Sequence, residues 1–303
     1  MLDDDGNLKY AANSKNFLIP NSIDRDFTIY SVDADGTLHE VIKAGSGTET
    51  VELASPGQLQ TTLANDQVIK LIVKGRIHGK DIKYMRQLIS DNNLQSIDLY
   101  DAQIITNSSS PYYQNYTTTK NVMGNYAFQG FKKLIYMRLP STITRIGNDA
   151  FSNSGLKSIV IPDKVTYIGE DAFAYCSSIT TVLVGKGVKT ISKGAFYCSP
   201  VKDIYVTPLT PPSISSYLLS SNPTIHVYAS ALARYQASSW AEYGTIVGDL
   251  TDEIVDGIEA PFENTEASPR EGLDVIYDLM GRKVTNLKPG NIYIRNGKKF
   301  MMK

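Results

Sequence analysis

The chain has 303 residues, 30 basic and 31 acidic side chains and a net charge of −1, so no basic excess exists to follow a phosphate backbone, and nucleic acid is not an expected partner. No apolar run approaches the ~18 residues of a membrane span, and the start, MLDDDGNLKY, lacks the basic and apolar regions of a signal peptide. Two cysteines rule out a disulfide scaffold, and the length allows roughly two domains.

Residues 1–50 are expected to be a β-rich segment of unassigned role. FTIYSVDADGTLHEVIKA (27–44) has the strand, Asp-Gly turn, strand pattern of a hairpin. Asp33-x-Asp35-Gly36 also looks like the start of a calcium loop. The further oxygen ligands, and a carboxylate near position 12 of such a loop, are missing, so a turn is expected there and at DDDGNL (3–8).

From residue 51 to 250 the pattern changes to repeats. VIKLIV (68–73) and LQSIDL (94–99) fit a strand template, and KDIKYMRQLI (80–89) places Ile82, Met85 and Leu88 at helical spacing. The next stretch, ITNSSSPYYQNYTTTKN (105–121), is polar and tyrosine-rich and is expected to be an inserted loop. Then IGNDAF (146–151), IGEDAF (168–173) and ISKGAF (191–196) follow one another. The Ala-Phe pairs at 127–128, 150–151, 172–173 and 195–196 are spaced by 23, 22 and 23 residues. A fixed period of ~20–29 residues marks a leucine-rich-repeat-like solenoid.

Each unit also carries L-x-x-L-x-L: LIYMRL (134–139), LKSIVI (156–161), ITTVLV (179–184) and VKDIYV (201–206). Period-2 alternation makes these strands. It sends Met137, Leu139, Ile159, Ile161, Val182, Val184, Ile204 and Val206 inward, joined by Leu134, Leu156, Ile179 and Val201. One unit buries too little to stand alone, and stacked units bury each other's faces. Phe is expected to fill the core while the small Ala lets the turn pack closely. TIHVYASALARYQASSWAEY (224–243) gives a last strand and a helical cap bearing Leu232, Tyr235 and Trp240.

Residues 251–272 are acidic, contain proline and are expected to be a linker. Residues 273–303 alternate between turns at Gly281, Pro289-Gly290 and Asn296-Gly297, which predicts a small antiparallel β unit. The fold class is therefore α+β, mostly β: a repeat solenoid with a parallel concave sheet, plus that C-terminal unit.

Outward strand positions should line the concave face. One column runs Ile72, Asp98, Arg138, Val160, Leu183, Tyr205 and His226; its neighbour runs Ser96, Tyr136, Ser158, Thr181 and Asp203. Val160, Leu183 and Tyr205 form an expected exposed apolar strip edged by Arg138 and Asp203, suited to a protein partner. Such residues also stabilise any exposed strand through cross-strand pairs. The second candidate is the insertion, where Tyr112, Tyr113 and Tyr116 could stack on sugar rings; its other reading is a disordered loop.

His39, His78 and His226 show no metal-ligand spacing, and His226 is expected to face solvent. No G-x-S-x-G, H-E-x-x-H, P-loop or G-x-G-x-x-G occurs, so neither an enzyme nor a cofactor is expected. Cys176 and Cys198 each lie three residues before their strand pattern, in a column with Phe131 and Asn153. Stacked neighbours ~4.7–4.9 Å apart fall inside the disulfide window of ~4.4–6.8 Å. Two buried thiols filling a packing column is the alternative.

Residues 123–206, with IGxxAF and LxxIxIP, resemble the BspA-type leucine-rich repeats of bacterial surface proteins. Residues 56–104 look like the capping region that precedes such repeats, and VYASALARYQASSWAEYGTI resembles their terminal unit, with Val227-Tyr228 where the family often has Val-Pro. The tail, IYDLMGRKVTNLKPGNIYIRNGKKFMMK, resembles C-terminal sorting domains of the Por (type IX) secretion route. The resemblance implies a secreted or surface-attached, non-enzymatic binding protein whose ligand is a host or bacterial protein, with a glycan as the alternative. Without the resemblance, the start of the chain leaves a cytosolic protein or an export signal outside this sequence.

Overall fold

A computed structural model describes residues 27–32, 38–44, 47–64, 66–259, 276–278, 292–295 and 298–301. The turns expected at 3–8, 33–36, 281, 289–290 and 296–297, and linker residues 260–272, lie outside the described residues. The chain divides into two units, Met1–Thr251 and Asp252–Lys303.

In the first unit, β1 (Phe27–Val32) and β2 (Leu38–Ala44) pair antiparallel, the hairpin that their sequence predicts. Next come β3 (Thr48–Leu53), the single turn α1 (Leu59–Thr62), β4 (Lys70–Ile77), α2 (Gly79–Asp91), β5 (Ser96–Asp98) and β6 (Ala102–Ile104). Strand β3 straddles the expected boundary at residue 50, because it pairs in parallel with β4. From there each repeat alternates a two-residue strand with a longer one. These are β7 (Val122–Met123), β8 (Tyr136–Arg138), β9 (Arg145–Ile146), β10 (Ser158–Ile161), β11 (Tyr167–Ile168), β12 (Thr181–Val184), β13 (Thr190–Ile191), β14 (Asp203–Val206), β15 (Ser213–Ile214) and β16 (Thr224–Tyr228). Helix α3 (Leu232–Gln236) and β17 (Thr245–Leu250) close the unit.

The longer strands form the parallel sheets β3-β4-β5-β8 and β10-β12-β14-β16-β17, and the short ones form β7-β9-β11-β13-β15. This is a leucine-rich-repeat-like solenoid. The register follows the alternation residue for residue: Ile72, Asp98 and Arg138 are neighbours, as are Val160, Leu183, Tyr205 and His226. Between β8 and β10 the link is a main-chain bond, Lys157 N–H to Ile135 O at 3.1 Å. All twelve side chains assigned inward are buried.

The Ala-Phe pair has a physical reason. The rings of Phe128, Phe151, Phe173 and Phe196 stack nearly parallel, with centroids 5.8, 5.2 and 5.2 Å apart. Each ring lies in the core with at most 1% exposure, and the four alanines are fully buried. The N–H groups of Phe128, Phe151 and Phe173 donate to the carbonyls of Ala150, Ala172 and Ala195 at 2.6, 2.8 and 2.8 Å. Leu218-Leu219 ends the column, with Phe196 N–H donating to Leu218 O at 3.1 Å.

The glycine of IGxxAF is set by close approach. A Cβ on Gly169 would sit 2.5 Å from the carbonyl carbon of Gly147, and one on Gly147 2.6 Å from the Asn125 nitrogen. Two further columns hold left-handed backbone. One, just before Ala, holds Tyr126, Asp149, Asp171, Gly194 and Tyr217; the other, three residues after Ala, holds Gly130, Asn153, Tyr175 and Cys198. Glycine, Asn and Asp suit that backbone, and tyrosine does so poorly.

The caps are polar staples. Asp81, 1% exposed, accepts from the N–H groups of His78 (2.9 Å), Leu59 (3.0 Å) and Gly57 (2.6 Å), tying the β3–α1 connection to the start of α2. At the other end, buried Tyr235 and Trp240 donate to the carbonyls of Pro208 (2.8 Å) and Pro212 (2.9 Å). Strand β17, beyond the expected cap, adds one more parallel strand, with a bulge opposite His226–Tyr228.

The second unit opens with α4 (Asp252–Glu259), inside the stretch 251–272 expected to be a linker. Ile254, Val255 and Ile258 recur at helical spacing, and Asp252 and Glu253 favour the N-terminal turn. Strands β18 (Ile276–Asp278), β19 (Ile292–Arg295) and β20 (Lys298–Met301) pair antiparallel, as the tail's alternation predicts. Among the described residues no helix is long and apolar enough to cross a membrane.

Removing one ring from the stack leaves a cavity between two others. Phe173→Ala is expected to lower the unfolding free energy by about 3–5 kcal/mol, read from equilibrium urea denaturation.

Candidate binding face

The outward columns place most of the expected site residues side by side. Ser158–Thr181–Asp203 and Val160–Leu183–Tyr205 run across β10, β12 and β14, and Tyr136 and Arg138 lie on β8. Tyr136, Arg138, Val160, Asp203 and Tyr205 are half-buried. Leu183 departs from the expectation: it is 1% exposed. It stands in register between Val160 and Tyr205, one strand spacing from each. Alternation gives a side chain's direction, and its neighbours decide its exposure.

The two ends of the face differ in chemistry. At the N-terminal end, Arg138 lies 3.6 Å from Asp98, itself 7% exposed, and its guanidinium sits 3.9 Å over the Tyr100 ring. At the C-terminal end, the Tyr205 ring stacks on His226 at 4.4 Å. His226 does not stand free in solvent as expected. Its side chain is 14% exposed, with Nδ1 2.9 Å from Asp249 and Nε2 3.4 Å from Asp203. The bulge in β17 re-aims Asp249 toward the ring. Burial, then the carboxylates of Asp203 and Asp249, push the Tyr205 phenol up. Tyr100 and Asp249 had no signal in the repeat template: one follows the strand, the other belongs to a strand beyond the cap.

The insertion is a small antiparallel hairpin, bridged at Asn107–Thr118 and Tyr113–Tyr116. Its tyrosines, the alternative ligand residues of the sequence, lie wholly or partly inside. Tyr112 is 3% exposed and donates to Asn125 O at 2.8 Å. Tyr113 and Tyr116 pack against the core. Arg86 of α2 binds the carbonyls of Tyr126 (2.9 Å) and Ala127 (2.6 Å) and lies 4.6 Å from the Tyr113 centroid. The rings therefore brace α2 against the first Ala-Phe turn.

Both cysteines are free, and they do not share a column. Ala172 to Ile179 spans one residue more than Ala150 to Leu156 or Ala195 to Val201, so counting back from the strands slips the alignment. Cys176 stacks with Ser154 and Ser199: its Sγ is 3.3 Å from Ser154 Oγ, and its N–H donates to Ser199 Oγ at 3.0 Å. Cys198 occupies the exposed left-handed column with Asn153 and Tyr175. Burial pushes the Cys176 thiol up, against hydrogen bonds from Ser154 and Asn153.

Two outcomes test these placements. A thiol reagent should label Cys198 rapidly in the folded protein and Cys176 only in urea, read by mass spectrometry. Burial pushes the Tyr112 phenol from 10.0 up to about 12. The unfolded chain ionises first, so the stability tied to this group is whole below pH 10 and lost as pH rises toward 12. Tyr112→Phe should flatten that part of the alkaline stability profile, the rest belonging to groups such as Tyr235, whose phenol burial also raises.

Comparison with solved structures finds repeat proteins. The pneumococcal vaccine antigen PcpA is 12% identical with a TM-score of 0.36 over 73% of this chain, which spans 48% of the PcpA chain. The T. pallidum leucine-rich repeat protein TpLRR is 17% identical, with a TM-score of 0.32, over 79% of this chain and 95% of its own. A leucine-rich repeat protein from Bacteroides ovatus is 13% identical, with a TM-score of 0.28, over 76% of this chain and 77% of its own. Comparison with curated protein sequences finds no match. Residues 109–226 match the family described as BspA type leucine rich repeat region, in six copies, so this part of the chain carries BspA-type leucine-rich repeats.

Proposed function

We propose that the protein is an exported, surface-displayed and non-catalytic binding module that takes a partner protein on the outward face of its main sheet. The observation that carries this reading is the run of outward positions from β8 to β16, in register within each sheet. Arg138 over Tyr100 stands at one end, Val160 in the middle, and Tyr205 on His226 with Asp203 and Asp249 at the other. An apolar centre between polar, aromatic ends suits a protein hot spot, and solenoids use such faces for recognition. BspA-type repeats in residues 109–226 support surface display, and the tail's resemblance to sorting domains supports export. The tyrosine insertion is the weaker ligand site, because Tyr112 is buried and Arg86 engages Tyr113.

The full chain would be screened against immobilised matrix and bacterial surface proteins beside a Val160→Lys/Tyr205→Ala variant. Leu183 is left intact, since a charge at that buried position would unfold the sheet. A protein hit weakened about ten-fold or more in the folded variant is the expected outcome. Equal binding by the variant would remove the face from the mechanism, and silence across the panel would favour a structural spacer.

A further inference from the structure

On the turns that carry the Ala-Phe pairs, three tyrosines form a ladder that the core does not use. Tyr175, Tyr197 and Tyr217 lie in successive turns, with centroids 5.9 and 6.4 Å apart and their rings edge to face. Tyr175 is 52% exposed and Tyr217 64%. Both sit in left-handed backbone, at φ 58° and 57°, in two columns otherwise filled by Gly130, Asn153 and Cys198 and by Tyr126, Asp149, Asp171 and Gly194. A bulky aromatic residue is an unfavourable occupant of such a position. An exposed one adds nothing to the core in return, which points to use outside folding.

We infer that this ladder is a binding site for a neutral oligosaccharide, separate from the sheet face. A tyrosine side chain offers roughly 150–250 Å², so rings exposed to this degree present on the order of 300 Å² between them. That is well below the ~800 Å² per partner that a stable protein interface needs. A strip one ring wide matches a thin linear ligand instead. The rings are uncharged, and each joins an apolar face to a hydroxyl. That combination fits the C–H faces and hydroxyl rims of pyranoses. Lys193 and Glu170, on the neighbouring turns, pair with each other at 4.0 Å.

The test titrates the full chain with cellohexaose, β-1,4-mannohexaose and xylohexaose by calorimetry. The variant is Tyr175→Asn/Tyr217→Asn, because Asn tolerates left-handed backbone and already fills the Tyr175 column at Asn153. The Val160→Lys/Tyr205→Ala variant serves as the control. Expected are binding of at least one hexasaccharide, its weakening by about ten-fold or more in the ladder variant at a urea midpoint no lower than the wild type's, and no change in the control. Failure of the wild-type chain to bind any of the three, or equal binding by the ladder variant, would overturn the assignment. So would loss in the control alone, which would transfer the sugar to the sheet face. The partner-protein reading is decided by its own panel and stands or falls independently.

Discussion

Every repeat of the solenoid is held one strand spacing, ~4.7–4.9 Å, from its equivalent in the next. Parallel main-chain hydrogen bonds impose that distance, and each side chain must tolerate a near-copy of itself beside it. Phenylalanine does so by stacking flat, with interplanar angles of 8°, 3° and 5° down the column. Alanine does so by being small where the turns meet. Gly147 and Gly169 have no room for a Cβ. Asn125 and Asn148 use the spacing directly, each accepting from the main-chain N–H one repeat on, at Asn148 (2.9 Å) and Glu170 (3.1 Å). The hexapeptide recurs because one geometric condition recurs.

The same condition builds surfaces. Any residue type placed outward becomes a column of chemistry across successive strands, with little folding role to constrain it. On the main sheet this yields an apolar centre between an Arg–Tyr contact and a Tyr–His stack held between carboxylates. On the turns, tyrosines from three different positions of successive repeats, Tyr175, Tyr197 and Tyr217, meet edge to face. Facing inward, it yields the polar column Ser154–Cys176–Ser199, where hydroxyl and thiol satisfy main-chain groups inside the core. A thiol in that setting is a packing residue, whereas Cys198, one position away along the turn, faces solvent.

The ends of a repeat array need different solutions, since no copy covers them. At the N-terminal end a buried carboxylate, Asp81, gathers three main-chain N–H groups from two segments. At the C-terminal end Tyr235 and Trp240 bring large apolar rings whose polar tips reach proline carbonyls. Burying such a group without a partner is costly, and each of these has one. In the inserted hairpin Tyr112, with Arg86 of α2 beside it, likewise reaches main-chain carbonyls, those of Asn125 for the phenol and of Tyr126 and Ala127 for the guanidinium.

The amino-acid pattern was enough for the period, the longer strands of the repeats, the inward residues and the register of the outward columns within each sheet. All of these follow from local alternation and a repeat length, which one chain displays openly. It also determined helix α2 from Ile82, Met85 and Leu88, and the antiparallel tail from its turns. Tertiary structure alone decided what those positions experience. Leu183 points outward and is nonetheless covered by the chain packed around it. Tyr112 lies in a polar stretch and is nonetheless buried, because the hairpin folds onto α2. His226 gains Asp249 from a strand that has no place in the repeat template, and the two cysteines fall into different columns through one extra residue in a turn. Direction is a local property of a strand, but exposure and partnership depend on residues 20 or more positions away, and only the packed chain brings those together.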